Sequence, residues 1–317
     1  MSSPKNITLV IHGGSGRVYT EQMSDEKEAA YMQKLTEAIS TGFAVLQDGR
    51  TSLEAVETAL KILEDSPLFN AGRGAVFNSD EEIELDAAIM DGSTMKAGAV
   101  AGVRTIKNPV SAARCVLENS PYVLLTGSGA ERFAGENGIE IIDPAWFETD
   151  ERRQQIRKIK NAEAAGSVTV NALNDSSKYG TVGAIALDAA GNLAAATSTG
   201  GMLNKKYGRI GDTPIIGAGT YANGTCAVSG TGWGEFFICH TVAHDIAALV
   251  DYKKLSVTNA AEEVIFNKVA KAGGYGGVIA LDLNGNISIT HNTEGMFWAY
   301  RKWTGEEKVN VCNMIIE

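Results

Sequence analysis

Thr181 stands where a polar segment meets an apolar one, in the stretch KYGTVGAIALD at residues 178–188. Residues 171–180 are rich in Asn, Asp and Ser, which is typical of a loop, whereas residues 182–187 are apolar and predict a buried strand. Cleavage of the bond between Gly180 and Thr181 would give Thr181 a free α-amine beside its own hydroxyl. Such an amine has a pKa of about 7.7 to 8.0 and can activate the hydroxyl as a nucleophile. By itself the stretch favours the plainer alternative, a threonine that opens a strand.

Three glycine-containing segments follow Thr181 and carry further hydroxyl or charged groups. They are TSTGG at residues 197–201, GRIGD at 208–212 and SGTGWGE at 229–235. Taken singly, Arg209 is typical of a surface arginine, and Asp212 of a turn residue that makes local backbone hydrogen bonds. None of these segments predicts a site by itself; it is their occurrence together, soon after Thr181, that suggests one.

Two other motifs resemble parts of sites of a different kind. His240 and His244 stand one helical turn apart, but no glutamate occupies the HExxH position and no third ligand is in view, so no metal site is predicted. The GGSG turn after His12 could bind phosphate, but it lacks the full GxGxxG spacing of a dinucleotide site. His12 is predicted to be structural.

Composition and charge limit the classes of partner. The chain has 317 residues, of which 44% are hydrophobic and 21% charged, which fits a globular protein of one large domain or two modest ones. The formal net charge is -10, with 28 Lys and Arg against 38 Asp and Glu. No basic field is present to attract nucleic acid or an anionic membrane, so a small-molecule substrate is expected.

Cysteine usage and the N-terminal residues predict a cytoplasmic protein. The four cysteines have no CxxC spacing, so buried free thiols are expected in place of a zinc cluster or a disulfide framework. The apolar run at residues 7–11 is far shorter than the core of a signal peptide, and no later run has the length of a membrane span.

Glycines, prolines and apolar periodicity predict the elements that must position these residues. A strand at 7–11 runs into the turn HGGSGR, and helices are predicted at 25–46, from Ser52 as N-cap to 63, and near 109–118 and 128–137. Strands are predicted around 83–90 and 96–104, and a solvated charged helix within 145–165. Further helices are predicted at 234–250 and 258–272.

An internal echo appears in two predicted hairpins. GAIALDAAGNLAAATSTGG at 183–201 and GGVIALDLNGNISITHNTEG at 276–295 share an IALD-x-x-GN core with a tight turn at Gly-Asn. Two similar antiparallel hairpins predict one continuous sheet, in place of the parallel sheet of a Rossmann fold. Helices before and after the strands predict two helical layers around the sheet structure, in one domain spanning 1–317.

The sequence resembles the plant-type L-asparaginases, or isoaspartyl peptidases, of the N-terminal-nucleophile hydrolase superfamily. The resemblance runs from HGGSG at His12 through PLFNAGRGAVF, ELDAAIMDG and KAGAVAGV to HNTEGMF near the end. It implies an α+β fold, a four-layer αββα sandwich. It also implies self-cleavage between Gly180 and Thr181 into subunits 1–180 and 181–317, and a homodimer of cleaved αβ units.

The resemblance also implies roles for individual residues. Thr181 matches the nucleophile, Thr199 the second threonine that orients it, and Asn70 an active-site asparagine of the first subunit. Arg209 and Asp212 match the residues that bind the α-carboxylate and α-amine of the substrate, which agrees with the chemistry of a guanidinium and a carboxylate. Thr231 and Gly232 match the oxyanion hole. Gly232 and Gly234 match substrate-binding positions, and Trp233 between them stands where a smaller residue is expected.

A structural sodium ion is also implied by the resemblance, with no cofactor needed for catalysis. Its ligands would be backbone carbonyls, which suit a hard cation. The corresponding residues here are Leu63, Glu64, Ser66, Phe69, Ala71 and Arg73.

The predicted activity is hydrolysis of the side-chain amide of L-asparagine and of the β-peptide bond of isoaspartyl dipeptides, with release of L-aspartate. One alternative is a glycosylasparaginase, which cuts the bond between a sugar and asparagine. The other, from a different class, is a non-enzymatic nucleotide-binding protein that uses the glycine-rich turns.

Overall fold

The structure is a computed structural model that describes residues 6–16, 23–165 and 180–311. The polar segment at 171–179, predicted as a loop before the cleavage position, lies outside the described residues. Cys312 and Arg17 of the HGGSGR turn also lie outside them.

The described residues form eight α-helices and twelve strands. The helices are α1 (Asp25–Gln47), α2 (Ser52–Glu64), α3 (Pro109–Asn119), α4 (Gly127–Glu136), α5 (Asp150–Ala164), α6 (Gly234–His240), α7 (Val242–Lys253) and α8 (Val257–Glu262). The strands are β1 (Thr8–Gly16), β2 (Leu85–Asp91), β3 (Lys96–Val103), β4 (Leu124–Thr126), β5 (Val182–Leu187), β6 (Leu193–Thr199), β7 (Thr220–Ala222), β8 (Cys226–Gly232), β9 (Gly276–Asp282), β10 (Ile287–His291), β11 (Gly295–Lys302) and β12 (Glu307–Asn310). Two 3₁₀ turns, Gly72–Gly74 and Pro144–Phe147, and a π-helical stretch Glu263–Val269 complete the pattern.

The N-cap of helix α2 is one residue earlier than predicted. The prediction of Ser52 as N-cap is wrong, because Thr51 fills that position and forms a capping box with Glu54. Glu54 stands three residues after Thr51, which is the spacing that lets side chain and backbone bond reciprocally. The backbone amide of Ser52 instead donates to Asp188 (3.1 Å), which anchors the helix start to the turn after β5.

Two other predicted helices, at 234–250 and 258–272, differ from the structure. The single helix predicted at 234–250 is divided at Thr241, which has φ 46° and ψ 49°, and the first amides of α7 donate to carbonyls of Gly217 and Ala218. The helix predicted at 258–272 becomes π-helical from Glu263.

Helix α5 is solvated on one face only. The Nε atom of Arg152, which is 6% exposed, donates to the carbonyl of Gly74 (2.7 Å), and Ile156 and Ile159 are buried. The predicted solvated helix is present, and it also has a buried face, because two isoleucines one turn apart give this charged segment an apolar stripe.

The strands form two sheets. The eight-stranded sheet has the order β12-β11-β1-β5-β6-β2-β3-β4, and the four-stranded sheet has the order β10-β9-β8-β7. All neighbours pair antiparallel except β3 with β4. The two echoing hairpins, β5-β6 and β9-β10, lie in different sheets, so the prediction that they share one continuous sheet is wrong.

Alternation along the strands explains how each sheet is buried on both faces. Leu9 and Ile11 of β1 belong to a core shared with α1 and α2, whereas Val10 between them belongs to a core shared by the two sheets. In the small sheet, Ile279 faces the core between the sheets and Val278 faces a third core with α7 and α8. Successive side chains of a strand point to opposite faces, so an almost unbroken apolar strand serves two cores at once.

Candidate active site

A cavity of about 540 Å³ collects most of the residues that the sequence singled out. Such a volume is typical of a site for a small molecule. Eight predicted catalytic, substrate-binding or cleavage residues line it: Asn70, Gly180, Thr181, Thr199, Arg209, Asp212, Thr231 and Gly232. Gly234 is not among the lining residues, but it lies close to the side chains of Arg209 and Asp212.

The hydroxyls of Thr181 and Thr199 meet at the end of the β5-β6 hairpin. Val182 pairs with Ser198 in the antiparallel register, so Thr181 and Thr199 are the next residues opposite each other. Thr181 Oγ1 donates to Thr199 Oγ1 over 3.1 Å. Thr199 is 3% exposed, and its hydroxyl oxygen also accepts from the backbone amide of Gly201 (3.0 Å). The second threonine is thereby fixed by its own turn and can hold the first.

Asn70 fixes the turn that follows Thr199. Its side-chain amide donates to the carbonyl of Gly201 (2.8 Å), its Oδ1 accepts from the amide of Val76 (2.9 Å), and its backbone carbonyl accepts from Gly200 (3.0 Å). These bonds connect the part of the chain before residue 180 with the turn at Thr199. Asn70 therefore supports the position of the two threonines from the other side of the predicted cleavage point.

Thr231 and Gly232 end strand β8 and bring the small sheet to the cavity. The Thr231 hydroxyl oxygen accepts a long bond from the amide of Ser15 (3.4 Å), and the Thr231 carbonyl accepts from the Ser15 hydroxyl (3.2 Å). Gly232 has φ 152°, and a Cβ there would lie 2.5 Å from the backbone of Gly276 and of Tyr275. Only glycine fits, so the backbone of Gly232 can stand against the cavity.

Arg209 and Asp212 supply charged groups to the cavity. Both lie in the segment between β6 and β7. Asp212 is 6% exposed, and its Oδ2 atom has no hydrogen-bond partner among the described residues. Burial raises the pKa of Asp212 to about 7, with backbone hydrogen bonding and the charge of Arg209 acting in the opposite direction. A buried carboxylate without a partner is suited to an incoming ammonium group.

Glu235, which the sequence reasoning did not assign, holds Arg209. Arg209 Nε donates to Glu235 Oε1 (2.9 Å), and Nη2 donates to Oε2 (2.8 Å). Glu235 lies in the first turn of α6 and is near Arg209 only through the tertiary fold. Its position within the quoted SGTGWGE segment is the one signal that could have drawn attention to it.

His12 is buried behind the nucleophile and belongs to a chain of hydroxyl groups. Its Nε2 atom bonds Ser229 Oγ (3.0 Å), which bonds Thr197 Oγ1 (2.7 Å), which accepts from Thr220 Oγ1 (2.7 Å). Burial lowers the pKa of His12 to about 3, and the nearby main chain of Thr181 raises it less. The imidazole is therefore neutral.

Trp233 lines the cavity and packs against other rings. Its ring centroid lies 4.9 Å from that of Phe236 and 5.4 Å from that of Tyr275, which also lines the cavity. The indole therefore forms part of the wall, where a bound molecule would contact it.

The loop predicted to bind sodium is tight, and each of two glycines in it lies close to a carbonyl of the predicted ligand set. Gly72 has φ 51°, and a Cβ there would lie 2.3 Å from the carbonyl oxygen of Glu64, while one on Gly74 would lie 2.2 Å from that of Phe69. Two glycines thus make room for carbonyls of the predicted set. The Glu64 side chain is itself fully buried and bonds Ser198 and the amide of Val110. This oxygen-rich loop fits a hard cation.

His240 and His244 lie on two different helices, because Thr241 separates α6 from α7. The His244 ring packs edge-on against Tyr221 at 5.1 Å. Within residues 6–16, 23–165 and 180–311, no group of three or more His, Cys, Asp or Glu side chains is arranged to hold a metal ion.

Comparison with known proteins identifies the family. The family model described as asparaginase matches residues 5–311. The chain belongs to the asparaginase family. An isoaspartyl peptidase of Escherichia coli (strain K12) is 50% identical over 297 residues, covering 93% of this chain and 92% of that protein. A plant-type L-asparaginase of Pyrococcus abyssi is 40% identical over 306 residues, covering 93% of this chain and 96% of that protein.

A bovine protein named isoaspartyl peptidase/L-asparaginase is 39% identical over 298 residues, covering 94% of each chain. The similarity to this family spans almost the full length on both sides. In the described residues, no helix combines the length and the apolar character needed to cross a membrane.

Proposed function

We propose that this chain is an amidohydrolase that cleaves the side-chain amide of L-asparagine and the β-peptide bond of isoaspartyl dipeptides, releasing L-aspartate. The observation that carries the proposal is the 3.1 Å bond between the hydroxyls of Thr181 and Thr199 in a cavity that also holds Arg209 and Asp212. The names of the family members at 39–50% identity agree with this substrate class.

The fold that supports this activity is proposed to be the αββα sandwich of the N-terminal-nucleophile hydrolases. Three separate apolar cores support it: one between α1, α2 and the large sheet, one between the two sheets, and one between the small sheet and α7 and α8. Three cores imply four packed layers.

The first chemical event is proposed to be self-cleavage. The Thr181 hydroxyl attacks the carbonyl carbon of Gly180, the C–N bond breaks, and the Thr181 nitrogen becomes a free amine while an ester joins the two parts. Water then hydrolyses the ester, which frees the hydroxyl. Gly180 lines the same cavity as Thr199 and Thr231, so one set of groups would serve both reactions.

The two fragments would remain associated after cleavage. Strand β1, from the first fragment, lies between β11 and β5, both from the second. Strand β2, from the first fragment, pairs with β6 from the second. Because ladder hydrogen bonds and cores cross between the fragments, separation would require unfolding of the large sheet.

Hydrolysis of substrate is proposed to use the same nucleophile, the Thr181 hydroxyl. The free amine of Thr181 takes the proton of its own hydroxyl, which attacks the β-carbonyl, and Thr199 fixes the direction of attack. The Thr231 hydroxyl and the backbone at Gly232 face the oxygen on which negative charge develops. The protonated leaving group departs as ammonia or an amino acid, and water releases L-aspartate from the acyl-enzyme.

Recognition is proposed to rest on Arg209 and Asp212, which bind the α-carboxylate and the α-ammonium group of the aspartyl moiety. A Cβ on Gly234 would stand 2.8 Å from Arg209 Nη2 and 2.9 Å from Asp212 Oδ1, so the two charged groups flank one glycine. That proximity suits two groups attached to the same α-carbon, and it leaves the amide side of the substrate directed toward Thr181.

A sodium ion is proposed to stabilise the loop after α2. The ligands would be the carbonyls of Leu63, Glu64, Ser66, Phe69, Ala71 and Arg73. The ion would neutralise converging carbonyl dipoles. Asn70 lies within this loop, so the ion would also support the turn at Thr199.

A cytoplasmic location and a homodimer of cleaved αβ units are proposed with the same activity. Cys115, Cys226 and Cys239 are free thiols, which is typical of a reducing compartment. Mass measurement by light scattering on cleaved protein tests the dimer.

Mass spectrometry and an ammonia-release assay on purified protein test the function. We expect fragments 1–180 and 181–317 and release of ammonia from L-asparagine. Thr181→Ala should stay intact and inactive, whereas Thr304→Ala, at an exposed position, should cleave and hydrolyse normally. Activity in a preparation that contains only full-length chain would overturn the N-terminal threonine mechanism.

A further inference from the structure

The contact between Arg209 and Glu235 leaves part of the guanidinium available. Glu235 accepts from Nε and Nη2, which form the side edge of the planar group. A guanidinium has five N–H bonds in a fixed fork. One N–H of Nη2 and both of Nη1 therefore remain for a second carboxylate at the end edge, so Glu235 and a substrate carboxylate can bind Arg209 together.

Neighbouring glycines fix where that end edge lies. A Cβ on Gly211 would lie 2.8 Å from Nη1, and one on Gly234 would lie 2.8 Å from Nη2. Gly211 lines the cavity, as does Arg209 itself. The guanidinium thus lies close to the backbone at both glycines, and Arg209 is one of the residues that line the cavity.

Asp212 offers Arg209 a competing partner. Among the described residues its Oδ2 atom has no hydrogen-bond partner, and a Cβ on Gly234 would lie 2.9 Å from its Oδ1 and 2.8 Å from Arg209 Nη2, so the two charged groups lie near each other. A direct pair between Arg209 and Asp212 would satisfy both charges, but it would also remove the two groups that the substrate needs. Among the described residues, the hydrogen bonds of the Arg209 side chain go to Glu235.

We propose that Glu235 is a positioning residue that holds Arg209 by its side edge, so that the end edge meets the substrate α-carboxylate and Arg209 does not turn to Asp212. The inference rests on the proposed function, because it assigns a partner to the recognition group of that site. Glu235 acts through Arg209 and does not itself contact the substrate.

The opposite role makes a different prediction. If Glu235 competed with the substrate carboxylate for the guanidinium, its removal would strengthen binding of substrate. The direction of the change in KM therefore separates positioning from competition.

Glu235→Gln tests the proposal, because glutamine keeps the length of the side chain but places an NH₂ group against a guanidinium donor. We expect KM for L-asparagine and the inhibition constant of L-aspartate to rise about tenfold, the usual effect of losing a hydrogen bond between charged groups. We expect kcat to change less than about twofold, and self-cleavage, read by mass spectrometry, to be normal.

Glu118→Gln is the matched control. Glu118 accepts from the Nε of Arg114 (2.8 Å), and the side-chain exposures of this pair, 22% and 44%, resemble the 18% and 49% of Arg209 and Glu235. The same charge is removed far from the cavity. KM and the aspartate inhibition constant should stay at wild-type values in this variant.

A substrate without the α-carboxylate charge provides a second control, because it allows both enzymes to be compared on both substrates. On asparagine with its α-carboxylate amidated, wild type and Glu235→Gln should have the same low kcat/KM, because the contact that Glu235 supports is already lost. An equal loss on both substrates would show a merely structural role, and an unchanged or lower KM for asparagine would also overturn the proposal. Wild-type protein that cleaves itself but hydrolyses no asparagine would contradict the proposed function separately.

Discussion

The two sides of the cavity are built in different ways. The hydroxyl side, Thr181, Thr199 and Thr231, stands at the ends of strands that pair by backbone hydrogen bonds. The charged side, Arg209, Asp212 and Glu235, comes from a segment between strands and from the first turn of a helix. In the proposed mechanism, the first side would perform the chemistry and the second would select the substrate.

The difference lies in what keeps each side in place. The hydroxyl groups are neutral, and the pairing of β5 with β6 and of β8 with β9 aligns the strand ends that carry them. The charged groups are held by each other and by burial, and the pKa of Asp212 lies near neutrality. Changes on the hydroxyl side should therefore affect the rate of the chemical steps, and changes on the charged side should affect binding and its pH dependence.

Thr199→Ala should have the largest effect. Loss of the hydroxyl that accepts from Thr181 should lower kcat about 100-fold or more, as removal of one active-site hydrogen-bonding group often does, and should slow self-cleavage as well. Time courses of fragment formation and of ammonia release measure both. Thr290→Ala is the control, because Thr290 is also a buried strand threonine bonded to another hydroxyl, that of Ser288. Normal maturation and hydrolysis in Thr199→Ala would show that the hydroxyl side does not work as one unit.

Arg209→Lys should come next. Lysine keeps the charge but loses the planar fork, so we expect a loss of about 2 kcal/mol of transition-state binding, or roughly 30-fold in kcat/KM. The loss should be similar for asparagine and for β-Asp-Leu, because both present the same α-carboxylate. Arg114→Lys, in an ion pair outside the cavity, is the control. Full activity of Arg209→Lys would place the carboxylate elsewhere.

Binding of L-aspartate should weaken as the pH falls below 7. The pKa of Asp212 is raised to about 7, so its charged form, which pairs with the ammonium group, is lost below that pH. The inhibition constant should rise about tenfold per pH unit between 6.5 and 5. It is a better measure than kcat, since the α-amine that self-cleavage would give Thr181 has an ordinary pKa of about 7.7 to 8.0 and would also titrate. Asp212→Asn should bind weakly and with no such slope, and a flat wild-type profile would contradict the role of Asp212.

The smallest expected effect is on stability. Asp212→Asn, which should weaken binding, should make the folded protein more stable. Because the folded-state pKa of Asp212 lies above the usual value of 3.8, the folded protein loses stability relative to the unfolded chain as pH rises from about 4 to 7. Asp212→Asn should therefore be more stable than wild type at pH 8, by at least about 2 °C in Tm, and similar at pH 4. Calorimetry on the intact Thr181→Ala background, with and without Asp212→Asn, avoids differences in cleavage. A lower Tm at pH 8 would show that the buried charge is compensated.

Local patterns were sufficient for most of the elements. Helix α1 and the β5-β6 hairpin follow from apolar periodicity and turn residues, and these signals act within a few residues of the chain. The failures occurred where the tertiary structure overrides a local signal. Thr241 adopts a left-handed conformation that divides a predicted helix, because the start of α7 bonds carbonyls of residues 217 and 218.

The sequence by itself determined the family, the candidate nucleophile and the chemical types of the recognition groups, because motifs near Thr181, Arg209 and Thr231 are contiguous in the chain. Only the tertiary structure decided that the two similar hairpins face each other in separate sheets, since identical apolar alternation is compatible with either arrangement. It also decided that Glu235 holds Arg209. The two residues are 26 positions apart, and only the packing of α6 against the segment after β6 brings a carboxylate to one edge of that guanidinium.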